Sequence, residues 1–318
     1  MKQVVSLSLG SSKRNKTVTL ELLGQTFVIR REGVDGDQRR FMARLAELDG
    51  TVDAIGFGGM DRYLWSEGRR YEFTAARRLL APAKRTPVVD GSGLKNTLER
   101  EAVRWLVERG IVDFARHRTL IVAGVDRFGM SEAVAAQGGE VLFGDLMFAL
   151  GIPFPIRGIG PLRRLARLLL PVIVRMPLAL LYPMGESQDR ITPKYGDRYG
   201  WADIIAGDFH YIRRYLPPPE SGLLAGKTIL TNTTTPEDEA ELARRGVRLL
   251  VTTTPNFDGR SFGTNVLEAV CVAANDGREL TSDGYLRMVR DLRMEPSVRP
   301  LPPLSLSTRS QATPIIST

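Results

Sequence analysis

Thr119-Leu120-Ile121-Val122-Ala123-Gly124-Val125-Asp126-Arg127-Phe128-Gly129 is the stretch whose reading decides the fold. Thr119 to Ala123 reads as a buried strand, a glycine turn follows, and a helix starts directly after it. In a Gly-x-Gly-x-x-Gly fingerprint the first glycine makes the tight turn. The second lets a pyrophosphate approach, and the third packs the helix. Gly124 and Gly129 hold the first and third places, and Asp126 holds the second. A carboxylate there opposes phosphate charge, which Arg127 beside it offsets. Met130 to Gln137 reads as the helix and Glu140 to Phe143 as the next strand, ending in Gly144-Asp145. A carboxylate 21 positions after Gly124 stands where an NAD ribose is bonded. Residues 118 to 145 are therefore expected to open a Rossmann-like domain, with Gly124, Asp126, Arg127, Gly129 and Asp145 at a dinucleotide. The alternative is a β-α-β unit whose acids merely cap helices.

Working outward, the pattern before this unit is also mixed. Val4-Val5-Ser6-Leu7-Ser8-Leu9 reads as a strand. Thr17 to Leu23 and Thr26 to Arg30 alternate around Gly24-Gln25 as a hairpin. Asp37 caps a helix carrying Phe41, Leu45 and Leu48. Ala54-Ile55-Gly56-Phe57-Gly58-Gly59 is a strand running into a glycine turn. A helix with Leu98, Ala102, Trp105 and Leu106 on one face follows from about Thr97. After the central unit, Ala202 to Ala206, Lys227 to Thr231 and Val247 to Val251 are strands. Thr235-Pro236-Glu237-Asp238 starts a helix, and a last helix runs from Thr264 through Ala274. Strands alternating with helices predict an α/β fold: a Rossmann-like parallel sheet with a smaller N-terminal α/β domain. The expected divisions are 1–115 for the N-terminal domain, 116–292 for the nucleotide-binding domain, and a disordered Pro/Ser/Thr-rich tail at 293–318. An apolar, arginine-containing insertion falls at 157–185. Its prolines and arginines argue against a membrane span. They leave a buried helical hairpin, a homodimer contact or a membrane-surface helix.

Composition narrows the function classes. Of 318 residues, 44 are Lys or Arg and 36 Asp or Glu, a formal charge of +8. That charge suits anionic partners or reflects a generally basic surface. No nucleic-acid-binding signature appears. One cysteine and two histidines leave no zinc site of the Cys/His type, and no metal is expected. The N-terminus reads as a first strand rather than a signal peptide, so the expected location is cytoplasmic.

Two further constellations carry candidate chemistry. Val88-Val89-Asp90-Gly91-Ser92-Gly93-Leu94-Lys95-Asn96-Thr97-Leu98 is a glycine turn entering a helix. Thr233-Thr234-Thr235-Pro236 and Thr252-Thr253-Thr254-Pro255 each end a strand, where ligands sit in open α/β sheets. The second leads to Asp258-Gly259-Arg260-Ser261-Phe262-Gly263-Thr264-Asn265, where Arg260 and a helix N-terminus suit an anion. The bland reading is solvated turns and plain helix capping.

The first of these resembles the Asn-Thr-Asp-Gly-x-Gly-Phe-x-x-x-Leu segment of the shikimate and quinate dehydrogenase family through Asp90, Gly91, Gly93 and Leu98. Thr252-Thr253-Thr254-Pro255 is similar to that family's nicotinamide-side Asn-Ala-Thr-Pro loop. Most of residues 1–290 also looks like bacterial proteins catalogued as quinate 5-dehydrogenases. The resemblance implies an NAD(P)-dependent oxidoreductase acting on a polyol or hydroxy acid. Asp90 would be its catalytic carboxylate, and Thr253 and Thr254 would lie by the nicotinamide. The family's Asn-Val-Thr-x-Pro-x-Lys motif is absent, and Lys95 and Lys84 are the nearby lysines. Asp90 and Lys95 are thus the catalytic candidates, NAD or NADP the cofactor, and a small molecule the partner. Two other readings stay open. One is a Rossmann enzyme using S-adenosylmethionine or another nucleotide. The other is a non-catalytic protein binding a partner or a membrane surface.

Overall fold

Alternation sets the first sheet. In β1 (Lys2–Ser8), Val5 and Leu7 point to one face and Val4, Ser6 and Ser8 to the other. The expected hairpin forms from β2 (Lys16–Leu22) and β3 (Gln25–Gly33). Leu23 and Gly24 both have positive φ at its tip, the backbone of a tight two-residue turn. Helix α1 (Gln38–Leu48) is capped by Asp37, whose carboxylate accepts from the Arg39 and Arg40 amides. Its Phe41, Leu45 and Leu48 pack with Val5, Leu7 and Phe57. Each such fully buried side chain contributes about 1.5–3 kcal/mol. Next come β4 (Ala54–Gly58), the hairpin β5 (Tyr63–Ser66) and β6 (Arg69–Glu72), helix α2 (Thr74–Leu79) and β7 (Val88–Val89). The sheet order is β2-β3-β1-β4-β7, and all its pairings except β2 with β3 are parallel.

The structure, a computed structural model, describes residues 1–176, 191–257 and 260–302. Helix α3 (Ser92–Glu108) leads from the first sheet to the second. There β8 (Thr119–Ile121), α4 (Phe128–Ala135) and β9 (Val141–Phe143) form the expected β-α-β unit. The chain continues through β10 (Ile156–Arg157), α5 (Ile159–Ile173), α6 (Gly196–Trp201), β11 (Ile204–Ala206) and α7 (Phe209–Arg214). It then runs through β12 (Thr228–Thr231), α8 (Pro236–Arg244) and β13 (Leu249–Thr252). Thr235 and Asp238 close a capping box on α8. The parallel strands lie in the order β9-β8-β11-β12-β13. The chain reverses direction across the sheet between β8 and β11. The fold is α/β, with two parallel-rich sheets.

Three expectations change. Beyond the short strand pair β14 (Asn256–Phe257) and β15 (Arg260–Ser261) come α9 (Thr264–Ala274) and α10 (Ser282–Asp291). These helices, placed by the sequence in the 116–292 unit, pack on the first sheet. Their Val266, Leu267, Val270 and Tyr285 join Val4, Phe27, Ile29 and Ala54. The reason is geometric. A parallel sheet needs apolar cover on both faces, and α1 covers only one. Second, the tail does not start at 293: β16 (Ser297–Pro300) pairs antiparallel with β13. Residues 303–318 lie outside the described residues. Third, within the 157–185 insertion α5 buries Leu162, Ala166 and Leu170 while Leu168 and Val172 stay exposed. Residues 177–185 lie outside the described set. Among the described residues no helix is long and apolar enough to cross a membrane.

Candidate functional site

The face of the first sheet that meets α9 changes character along its strands. Val4, Ile29 and Ala54 make it apolar where α9 lies flat on it. Toward the carboxyl ends of β1, β3 and β4 the same face carries Ser6, Ser8, Arg31 and Gly58. There it opens into a cavity of about 530 Å³. Arg14 and Lys16, at the start of β2, and Gly59, Phe262, Gly263 and Asn265 complete the polar end of its wall.

Glycines let α9 approach this closely. A Cβ on Gly56 would lie 2.6 Å from the Asn265 carbonyl oxygen. One on Gly91, at φ 94°, would lie 2.5 Å from the Asn265 nitrogen. Gly263 is the N-cap, and no side chain caps α9. The first amides of this 11-residue helix therefore keep their partial positive charge at the cavity. Asn265 Nδ2 donates to Ser6 Oγ at 3.1 Å, and the Gly10 amide donates to Ser8 Oγ at 3.0 Å. Arg31 Nη1 donates to the Ser11 carbonyl at 3.0 Å. Lys16 Nζ stands 5.5 Å over the Phe262 ring. No described carboxylate forms an ion pair with Arg14, Lys16 or Arg31. Burial, and then the like charge of Arg14, push the Arg31 guanidinium below its ordinary value.

The sequence candidates gather elsewhere, between α3 and the carboxyl ends of the second sheet. Lys95 Nζ lies 3.1 Å from Asp126 Oδ1 and 3.7 Å from Asp61 Oδ1. Burial pushes the Lys95 amine down, but Asp126 and Asp61 outweigh it and leave it above its ordinary value. Burial, opposed by Lys95, pushes the Asp61 carboxyl up to about 7. One turn along α3, Glu99 pairs with Arg127 Nη1, while Arg127 Nη2 donates to Asp208 at 2.6 Å. Asp208 also accepts from Asn232 Nδ2 at 3.0 Å. Arg127 and Asp208 stand at the ends of β8 and β11. That is the switch point where open α/β sheets usually take a ligand, and here the chain's own ion pairs fill it.

The fingerprint turn is likewise self-satisfied. The amides of Gly124 and Val125 donate to the Asp145 carboxylate at 3.0 and 2.8 Å. Burial, against those amides, pushes Asp145 up to about 6. Asp145 thus takes donors that a phosphate at this turn would use. Gly129 fits against α3: a Cβ there would lie 2.3 Å from the Asn96 carbonyl oxygen.

Asp90 does not meet Lys95 as a catalytic pair. One carboxylate oxygen accepts from the Arg62 and Tyr63 amides at 2.6 and 3.0 Å, and the other from Ser92. The two Thr-Thr-Thr-Pro sequences meet each other. Thr233 Oγ1 donates to Thr254 Oγ1 at 2.9 Å, and the Thr253 amide donates to the Thr231 carbonyl at 2.8 Å. Arg260 falls in β15, Asp258 and Gly259 are outside the described residues, and so is Arg260's role toward an anion. Among the described residues no His/Cys/Asp/Glu group is arranged to hold a metal ion.

The sequence reading missed Ser6, Ser8, Arg14, Lys16 and Arg31. The signal present was period-2 alternation. Val4, Ser6 and Ser8 share a face of β1, where Ser6 and Ser8 interrupt a run of Val and Leu. Arg31 continues the face of Phe27 and Ile29.

A family model described as Domain of unknown function (DUF8754) matches residues 93–301. A second, described as Domain of unknown function (DUF8753), matches residues 3–90. No curated protein matches the chain. The chain is similar to the sugar ABC transport system substrate-binding protein from Bordetella parapertussis 12822. That likeness has 13% identity over 88% of this chain and 82% of that one, with a TM-score of 0.38. It is also similar to an ABC transporter periplasmic solute binding protein from Actinobacillus succinogenes 130z, solved with bound D-allose. Here the identity is 11%, covering 94% and 98% of the two chains, with a TM-score of 0.37. An ABC transporter solute binding protein from Bacillus halodurans C-125, with bound myo-inositol, is 13% identical over 91% and 98%, with a TM-score of 0.37.

These findings correct the dehydrogenase expectation. The matching family models are described as domains of unknown function, and neither they nor the solved structures just named are shikimate, quinate or quinate 5-dehydrogenases. The oxidoreductase assignment and the leaning toward an enzyme are withdrawn for a physical reason: Lys95 pairs with Asp126 and Asp61, while Asp90 accepts from Arg62, Tyr63 and Ser92. The cytoplasmic expectation is withdrawn as well; one of the similar structures is described as periplasmic.

Proposed function

We propose that this chain, which belongs to the family described as Domain of unknown function (DUF8754), is a non-catalytic binding protein for a small, polar, anionic molecule. The observation that carries this reading is the cavity beside the N-terminus of α9, where Arg14, Lys16 and Arg31 meet without a described counter-charge. Grouping like charges is unfavourable unless something negative occupies the space between them. The uncapped start of α9 favours the same occupant. Its position outside the carboxyl ends of parallel strands is where α/β sheets take ligands.

Catalysis is not part of the proposal. A general base needs an unprotonated form near working pH, and Lys95 is held in its charged form by two carboxylates.

Thermal unfolding against a panel of small anions, cations and neutral polyols tests the reading. A ligand at a hundredfold its Kd adds about 2.7 kcal/mol, a rise of roughly 5 °C or more. The rise is expected for anions in the wild type and is expected to be absent in Arg14→Gln. A panel without any shift, or a shift unaltered by Arg14→Gln, removes the proposal.

A further inference from the structure

The hydrogen-bonding capacity of the cavity is one-sided. Ser6 and Ser8 are 2% and 6% exposed. Each hydroxyl oxygen already accepts one bond from the protein, from Asn265 Nδ2 and the Gly10 amide. No described residue accepts either hydroxyl proton. The remaining polar lining consists of Arg14, Lys16 and Arg31, the Asn265 side chain and the amides that open α9, so donors outnumber acceptors. Among the described residues no carboxylate or histidine lines the space. Whatever binds there must therefore accept many hydrogen bonds and carry more than one negative charge.

We infer that the cavity takes the phosphomonoester group of a small molecule as its dianion, an inference that rests on the binding reading above. A single carboxylate brings one charge and two oxygens. It would leave two of the three cations uncompensated. A phosphomonoester brings close to two charges and three strong acceptor oxygens. Arg14 and Arg31 can grip two of those oxygens through paired N–H groups, and Lys16 serves as a point charge. At about 530 Å³ the cavity exceeds one phosphate, which leaves room for the polar remainder of the ligand.

Isothermal titration of the full chain tests this with glucose 6-phosphate, inorganic phosphate, succinate, gluconate and glucose. Glucose 6-phosphate is expected to bind at least about tenfold more tightly than gluconate, the step typical of one charge-assisted hydrogen bond. Inorganic phosphate is expected to compete with it. Its affinity is expected to rise about fourfold from pH 5.5 to pH 7.5, as the group with second pKa near 6 becomes a dianion. Gluconate, already ionised, is expected to stay flat. Arg14→Gln and Lys16→Gln change exposed side chains, so both variants fold. Each is expected to weaken glucose 6-phosphate by about tenfold and to remove most of its pH dependence. Preference for succinate or gluconate overturns the phosphate assignment and leaves the binding reading standing, whereas preference for neutral glucose overturns both. Phosphate-ester binding that ignores both variants overturns the location. No heat from any of the five probes overturns the phosphate assignment and the binding reading together.

Discussion

Arg31 sits near the carboxyl end of β3 and Arg127 at the start of the helix that follows β8, yet the chain treats them in opposite ways. Arg127 is buried between Glu99 and Asp208, with Asp126 beside it. Arg31 faces a cavity with Arg14 and Lys16 and no described counter-ion. In the first cluster every positive charge has carboxylate partners within the chain, and the fingerprint amides have Asp145. In the second the cations have no described carboxylate partner. That difference is what the proposed anion site rests on. A ligand motif recognised by residue type alone does not separate the two, because charge balance is a property of the assembled site.

The sharpest way to break this comparison is Arg127→Leu. It leaves Glu99 and Asp208 buried without their cation, a loss of about 3–5 kcal/mol, read by urea unfolding. A loss below about 1 kcal/mol would mean that the network is solvated and the contrast false. Gly56→Ala comes next. The new Cβ would press on the Asn265 carbonyl, costing about 1–3 kcal/mol and displacing the start of α9. Thermal unfolding and anion titration are expected to change together, and an unchanged titration would detach α9 from the site.

An effect spread over pH is expected from Glu268, buried in α9, where it accepts from the Gly91 amide and the Tyr285 hydroxyl. Burial pushes its carboxyl up to about 8. A raised acid keeps its proton longer in the folded state, so stability is present at low pH. That stability is lost as pH rises from about 4.5 toward 8, by at most about 1.4 kcal/mol per pH unit. Glu268→Gln is expected to flatten that slope in unfolding measured between pH 5 and 8. If the slope is the same in both proteins, Glu268 does not carry it. The smallest effect is the stability change of Arg14→Gln, expected within about 0.5 kcal/mol. A large loss there would place Arg14 among the residues that hold the fold and would erase the difference from Arg127.

Much of the architecture was legible locally. Asp37 and Thr235 cap the helices they were expected to cap, because capping needs only a side-chain oxygen and the next few amides. The β2–β3 hairpin and the β8-α4-β9 unit were readable for the same reason. The place of α9 and α10 was not, since their apolar faces fit any open sheet. Only the bare second face of the first sheet, with Gly56 and Gly91 clearing room, selects it. Nor was β16 readable, because four residues rich in Pro, Val and Ser become a strand only beside the free edge of β13.

The candidate site divides the same way. The sequence marked Asp90, Lys95, Asp126, Arg127 and Asp145 as residues with chemistry to offer, and all of them are engaged in close polar contacts. Which contacts these are was invisible, because Lys95 meets Asp61 from another loop and Asp145 reaches back to its own turn. By itself the sequence determined the α/β class, the period of each strand and the caps of its helices, all of which depend on neighbours a few positions apart. The tertiary structure decided which charges are paired and which are left open. Pairing depends on residues far apart in the chain, such as Arg14, Arg31 and Asn265, that only the folded sheet and the returning α9 bring to one cavity.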